Sequence, residues 1–245
     1  MIRILVLALL AIVSARAADL VEQSVEHAGV KFRVVRVSPE RVRVVWKDSK
    51  GQPYRTFDRV QAAFAKEGKT VKFLMNAGIF EPGGIPSGLH IQDRKSIQPI
   101  NLADAPGNFF LKPNGICAFS PDKLAGAFVG RSERWQARNA AGVQELWAVQ
   151  SGPMLLMNGN RHPVFKDGSA SKLHRNGVGL DAQGAFVFAI TASGQLVNLW
   201  DFSGLFLKLG CKDALFLDGD ISQMAVNPTK PVSSNLFGAM FVVAE

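Results

Sequence analysis

Four times along this chain a short apolar run meets a polar, glycine-containing turn, and that recurrence constrains the fold more than any other feature. Ala214-Leu215-Phe216 leads into Leu217-Asp218-Gly219-Asp220-Ile221-Ser222, and Phe73-Leu74-Met75 into Asn76-Ala77-Gly78. Leu146-Trp147-Ala148-Val149 runs into Gln150-Ser151-Gly152-Pro153, and Arg175-Asn176-Gly177 opens onto Val178-Gly179-Leu180. Apolar runs of this length bounded by turn signals read as buried strands. A rigid strand that ends in a loop holds a polar group in place and exposes it, so strand ends suit chemistry. One such junction is ordinary, whereas four in one small chain predict a shared site.

The rest of the chain fits around these strands. Residues 30–37 and 41–47 alternate polar and apolar about Ser38-Pro39-Glu40, which predicts a β-hairpin with one wet face. Residues 56–67 predict a helix capped by Thr56, with Phe57, Val60 and Phe64 on one face and Gly68 as its stop. Residues 76–115 are rich in Gly, Pro and Asn, with short strands expected near 88–92 and 109–111. Such a segment is either a floppy insertion or a site built from loops. Further strands are expected at 115–119, 145–150 and 153–157, the last turning at Asn158-Gly159 into a tight hairpin. Residues 158–174 read as loop, and strands 177–181 and 185–191 flank Asp181-Ala182-Gln183-Gly184. Residues 198–209 predict a second helix, capped by Asn198, apolar along Leu199, Phe202, Phe206 and Leu209, and ended by Gly210. Ala239 to Ala244 is expected to close the sheet. The whole reads as one α+β domain of β-rich mixed sheets with few helices, its hairpin and helix over 18–70 and its core over 71–245.

The N-terminus reads as an export signal. Arg3 precedes the apolar stretch Ile4 to Val13, and Ala15-Arg16-Ala17 fits a cleavage site after Ala17. The stretch is too short to span a bilayer, no other apolar run is long enough to anchor the chain, and no cysteine follows the cut to carry a lipid. The expected location is periplasmic or extracellular. Cleavage leaves 228 of 245 residues, ample for a real core, and lowers the net charge from +8 to +6 as Arg3 and Arg16 depart. The basic residues are spread thinly, with no run and no aromatic interleaving, which argues against a nucleic-acid partner and for mild affinity toward anionic ligands. Cys117 and Cys211 fit either one disulfide in an oxidising compartment or two buried thiols, and their apolar surroundings favour thiols.

Several motifs are absent: a phosphate-cradling loop with lysine, a dinucleotide fingerprint, a paired-histidine metal motif and a Gly-x-Ser-x-Gly elbow. His27, His90, His162 and His174 are scattered. Any chemistry therefore rests on carboxylates, Asn, Ser and Arg. Asp218 and Asp220 could supply a nucleophile or base, or ligands for calcium or magnesium; the same pattern also makes a solvated turn. Asn76 could donate to a substrate oxygen or simply turn the chain. Ser151-Gly152-Pro153 could present a hydroxyl and an amide to a cavity. Arg175 beside Asn176 could be a bidentate clamp on phosphate or carboxylate, although most arginines are surface residues.

Five segments in order carry a family resemblance: Asn76-Ala77-Gly78-Ile79-Phe80, Gly107 to Gly115, Gln150 to Leu155, Arg175 to Gly179, and Leu217 to Ser222. Together, over roughly residues 70–244, they resemble the phosphodiester glycosidase domain family. The family's Asn-Gly-Gly-Phe-Phe stands here as Asn-Ala-Gly-Ile-Phe, its Ser-Gly-Gly-Pro as Gln-Ser-Gly-Pro, and its Arg-Thr-Ala-x-Gly as Arg-Asn-Gly-Val-Gly. Its Asp-Gly-Gly-Gly-Ser becomes Asp-Gly-Asp-Ile-Ser, departures that resemble a bacterial subgroup. The resemblance implies hydrolysis of a sugar–O–phosphate linkage at the anomeric carbon. It implies Arg175 as the cation over the phosphate, and Asp218 as nucleophile or base, either supported by Asp220 or joined to it through a divalent ion. It also implies Asn76, Gly78, Asn114, Ser151, Gly152, Asn176, Gly219 and Ser222 as substrate contacts. Two other classes stay open: a non-catalytic module binding envelope glycan or exopolysaccharide, and a metal-dependent phosphoesterase.

Overall fold

A computed structural model describes residues 20–121 and 126–245, so the expected export signal over 1–17 lies outside the described residues. Three antiparallel sheets enclose one apolar core, and each carries one helix on its outer face. The largest sheet orders its strands as β1 (Glu22–His27), β2 (Val30–Val37), β15 (Phe186–Thr191), β14 (Asn176–Asp181), β16 (Cys211–Asp218), β12 (Met154–Met157) and β13 (Asn160–Arg161). The second runs β10 (Ala127–Arg131), β9 (Gly115–Phe119), β11 (Trp147–Ser151), β7 (His90–Gln92) and β8 (Lys95–Gln98). The third runs β17 (Met224–Val226), β4 (Val71–Asn76), β18 (Met240–Ala244) and β3 (Val42–Val45). A small ribbon pairs β5 (Phe80–Glu81) with β6 (Ile85–Pro86).

Strand alternation sorts the side chains between these layers. Phe73 and Met75 of β4, Cys117 and Phe119 of β9, Phe186 and Phe188 of β15, and Leu215 and Leu217 of β16 all enter the shared core. Their neighbours point outward against helices. Ala214 and Phe216 meet α3 (Leu199–Lys208), Leu74 and Val242 meet α1 (Phe57–Lys66), and Ile116 and Ala118 pack with Trp135 of α2 (Ser132–Ala140). Both faces of these central strands are thus covered, which is why their buried stretches are apolar without strict alternation. Gly177 and Gly179 let α3 lie close to β14: a Cβ on Gly179 would sit 2.7 Å from the Cys211 sulfur and 2.8 Å from the Phe206 ring.

The structure corrects several expectations. Segments 30–37 and 41–47 are strands but not a hairpin, because β2 pairs with β1 and β15 while β3 pairs with β18. A 3-10 turn over Pro39–Arg41 carries the chain from one sheet to another around the core that Val35, Val37, Val42 and Val44 share. The true hairpin partner is β1, through Ala28 and Gly29, both at positive φ. Residues 109–111 are not a strand; Asn108–Phe110 is a 3-10 turn. Thr56 holds the cap position of α1, yet its hydroxyl makes no cap bond and has no partner. The strand expected over Ala239 to Ala244 is β18, and it lies inside the four-stranded sheet between β4 and β3 rather than closing a single common sheet. Helix α2 was not foreseen. Asn198 does cap α3, accepting from the Asp201 amide at 2.8 Å. Both cysteines are buried free thiols, with burial pushing the Cys211 thiol up to about 12 and Cys117 higher still.

Candidate active site

The four strand junctions meet where the three sheets come together. Asn76 ends β4, Ser151 ends β11, and Asn176 begins β14 directly opposite Asp218, the last residue of β16. Asn76 is 1 % exposed and lies at the centre. Its Nδ2 donates to Asp218 Oδ2 at 3.1 Å, while its Oδ1 accepts from Asn176 Nδ2 at 2.9 Å and from the Gln223 backbone amide at 3.0 Å. Asn176 also donates to the Asn76 carbonyl at 3.0 Å. Ser151 joins the same corner, donating to the Leu217 carbonyl at 2.9 Å and accepting from the Ile79 amide at 3.4 Å. Gly78, at φ 134°, passes so close that a Cβ would sit 3.3 Å from Ser151, in a backbone region that favours glycine.

Asp218 Oδ1 accepts from the Gly219 amide at 2.8 Å. Burial pushes its carboxyl up to about 6; the bonds from Gly219 and Asn76 oppose that rise, and the nearby Asp220 charge adds to it. A carboxyl so placed is ionised just above pH 6, in the range useful to a base or nucleophile. Gly219 leaves open space beside it, with no atom nearer than 3.9 Å to a hypothetical Cβ. Asp220 turns elsewhere and accepts from the His174 amide at 3.2 Å. Among the described residues, no three His, Cys, Asp or Glu side chains gather as a metal site. An ion across Asp218 and Asp220 would need main-chain or water oxygens to complete its shell.

Arg175 is not a surface residue. It is 2 % exposed, with its guanidinium over the Phe216 ring, 5.4 Å from the ring centroid. Its Nε donates to the Val197 carbonyl at 2.8 Å and its Nη2 to the Ser171 carbonyl at 3.3 Å, while Nη1 has no partner among the described residues. It lines a cavity of about 170 Å³ together with Lys166, Ser169 and Ser171. Burial lowers it to about 10, opposed by Asp220, so it stays charged at neutral pH. Asp220, not Asp218, is the carboxylate that acts on it.

Asn114 and Gly152 sit in a different buried network. Asn114 donates to the Phe109 carbonyl at 3.2 Å and accepts from Ser132 at 2.8 Å, and Gln150 bonds Ser132, Asn101 and the Leu89 amide around it. Gly152 allows the close approach, since a Cβ there would lie 2.7 Å from Asn114 Cβ. Ser222 is buried, and its Oγ has no partner among the described residues. Two residues escaped the sequence reading. His174 touches the Thr191 hydroxyl through Nδ1 and the Ser222 carbonyl through Nε2 at 3.0 Å. Gln223 supplies its amide to Asn76. His174 directly precedes Arg175-Asn176, and that adjacency is its one sequence signal.

The three-sheet frame has counterparts among known proteins. A model of the phosphodiester glycosidase family matches residues 69–240, and the chain belongs to that family. It is 34 % identical over 196 residues to the uncharacterized protein YigE of Escherichia coli K12, covering 80 % of this chain and 73 % of that one. Among solved structures it resembles the zebrafish N-acetylglucosamine-1-phosphodiester alpha-N-acetylglucosaminidase catalytic domain, auto-inhibited by its pro-peptide. That match has a TM-score of 0.66 and 15 % identity, and covers 93 % of this chain and 82 % of that one. A hypothetical protein from Synechocystis follows at TM-score 0.58 and 13 % identity, covering 92 % of this chain and 61 % of that one. A putative exported protein from Burkholderia pseudomallei follows at 0.55 and 11 %, covering 87 % and 74 %. At these identities the structures share the fold.

Proposed function

We propose that the protein is an exported hydrolase that cleaves a sugar–O–phosphate linkage at the anomeric carbon. The observation that carries this reading is the Asp218 carboxyl, held by Asn76 and Gly219 at the meeting point of all four junctions and shifted to about 6. Cleavage breaks the bond between the anomeric carbon and the bridging oxygen, whose electron pair leaves with the phosphate. A phosphate is already a good leaving group, so no strong general acid is required. As base, Asp218 takes one proton from the attacking water while the water oxygen bonds the anomeric carbon. As nucleophile, it forms a glycosyl ester that water then opens. In both routes the oxocarbenium-like transition state is stabilised by the carboxylate. Arg175 offers its unpartnered Nη1 to a phosphate oxygen, with Asp220 holding its charge. Asn76, Asn176 and Ser151 fix the frame.

The test is hydrolysis of a panel of sugar-1-phosphodiesters, nucleotide sugars included, by the mature protein and by Asp218→Asn. Free sugar from the wild type alone supports the reading. Release of sugar phosphate instead would indicate a phosphoesterase, and loss of turnover after EDTA would add a calcium or magnesium ion at Asp218 and Asp220. No release from folded protein would turn the reading toward a glycan-binding module. Mass of the secreted mature chain tests cleavage after Ala17.

A further inference from the structure

A second cavity, of about 330 Å³, lies at the end of the 218–222 turn. It lies at the lower end of the range for small-molecule sites, roughly 300–1,000 Å³. Ser222 and Gln223 belong to its wall, and Gln223 is also the residue whose amide holds Asn76 against Asp218. The cavity wall is therefore linked to the acting carboxyl by hydrogen bonds through Asn76.

Its lining carries no free charge. Arg33 reaches it, but Arg33 Nε and Nη2 each donate to Glu22 at 2.7 Å, and Nη1 donates to the Met224 carbonyl at 3.2 Å. Both ring nitrogens of His174 are engaged, with Thr191 and with the Ser222 carbonyl. No Asp or Glu lines it among the described residues. What the wall does offer is hydroxyls and apolar surface. Ser193 is exposed at the rim, and Ser222 is only 4 % exposed with an Oγ that has no hydrogen bond among the described residues. A buried hydroxyl without a partner is unfavourable, and an occupant of the cavity that bonds it would relieve that. Ile190, Met224 and Val232 supply apolar contacts. Neutral hydroxyl chemistry beside aliphatic surface suits a pyranose, which has a hydroxyl edge and an apolar C–H face, and does not suit an anion.

We propose that this cavity seats the neutral sugar ring of the substrate, while the phosphate lies on the Arg175 side of the 218–222 turn. The assignment rests on the glycosidase reading above and adds to it where each half of the substrate binds.

The test uses protein labelled at methionine methyls with ¹³C, the Met224 signal being assigned by Met224→Leu. Glucose, mannose, galactose and inorganic phosphate are titrated separately. At least one sugar is expected to shift Met224 saturably, and phosphate is expected to leave it unmoved. Ser193→Trp, on an exposed turn, should block the cavity and abolish the shift. Ser222→Ala should weaken sugar binding by about tenfold without lowering Tm, because no internal bond is lost. No shift with any sugar, a shift with phosphate, or unchanged binding in both variants would overturn the proposal. Hydrolysis with an unmoved Met224 would sink the seat and spare the reaction, whereas a sugar-bound Met224 without hydrolysis would do the reverse.

Discussion

Asn76 and Asp218 stand 142 residues apart in the chain and share a hydrogen bond of 3.1 Å. The orientation of the Asn76 amide follows from its other partners: Oδ1 accepts two donors, so Nδ2 must face the carboxylate. Asn76→Asp would keep both accepted bonds and set a second carboxylate against Asp218. Like charges this close cannot both ionise easily, so one proton is shared and the pair titrates higher. The expected result is a kcat/KM profile displaced to higher pH and a loss of about 2–4 kcal/mol at pH 8 that largely vanishes at pH 5. Denaturant melts at the two pH values check it; equal losses at both would show that charge is not the cause.

Asp218→Asn gives the complementary result. The folded carboxyl titrates at about 6 against an ordinary 3.8, so the folded state holds its proton more tightly than the unfolded chain. The stability this confers is full below about pH 4 and is lost as pH rises through 6. The wild type should therefore lose roughly 1–3 kcal/mol across that window, and the variant should lose much less. Wild-type kcat/KM should rise through pH 6 as the carboxylate forms, and the variant should have no turnover. Parallel melts and pH–rate curves check both halves.

Gly179→Ala tests the packing behind the site. The added Cβ would meet the Cys211 sulfur and the Phe206 ring at under 3 Å, so α3 must shift outward. A cost of about 1–3 kcal/mol is expected, measured by urea melting, with little change in the pH dependence of activity.

The strands that form this frame were legible because their centres are buried on both faces, which leaves β9, β15 and β18 as apolar runs and gives β4 and β16 the apolar stretches Phe73-Leu74-Met75 and Ala214-Leu215-Phe216-Leu217. Helices α1 and α3 were legible through their apolar stripes. Helix α2 was not, since Trp135 is its one large buried side chain. The false hairpin over 30–47 marks a different limit: alternation says that a strand exists, but not which edge it joins, and β2 already has both edges filled. The site divides in the same way. Asn76, Ser151, Asn176 and Asp218 announce themselves at strand ends. His174 and Gln223 act through ring and backbone contacts, to Thr191 of β15 and Asn76 of β4, that exist only once the sheets are assembled, and neither residue type signals that in one dimension. Arg175 was legible as a special arginine, while its burial against Phe216 was not.

The buried thiols give a simpler check. Burial raises both Cys117 and Cys211, and neither has a partner sulfur. Native protein should resist thiol reagents at pH 8, unfolded protein should react at two sites without prior reduction, and a disulfide-dependent change in electrophoretic mobility should be absent.

Arg175 separates charge from architecture. Arg175→Lys keeps one positive charge but loses the fork that bonds Val197 and Ser171 and the planar contact with Phe216. Arg175→Met removes the charge and fills similar volume, and replacing a buried charge with an apolar side chain is often neutral for stability. If Arg175 contacts the phosphate, both variants should lower kcat/KM by about a hundredfold or more, a loss of around 3 kcal/mol in transition-state binding. Arg175→Met should do so at an unchanged or raised Tm, and inorganic phosphate should inhibit the wild type but neither variant. Should activity instead track Tm across the two variants, with phosphate inhibition retained, Arg175 would be a strut for the 169–175 segment and the cation over the phosphate would have to come from elsewhere, Lys166 on the same cavity wall being a candidate.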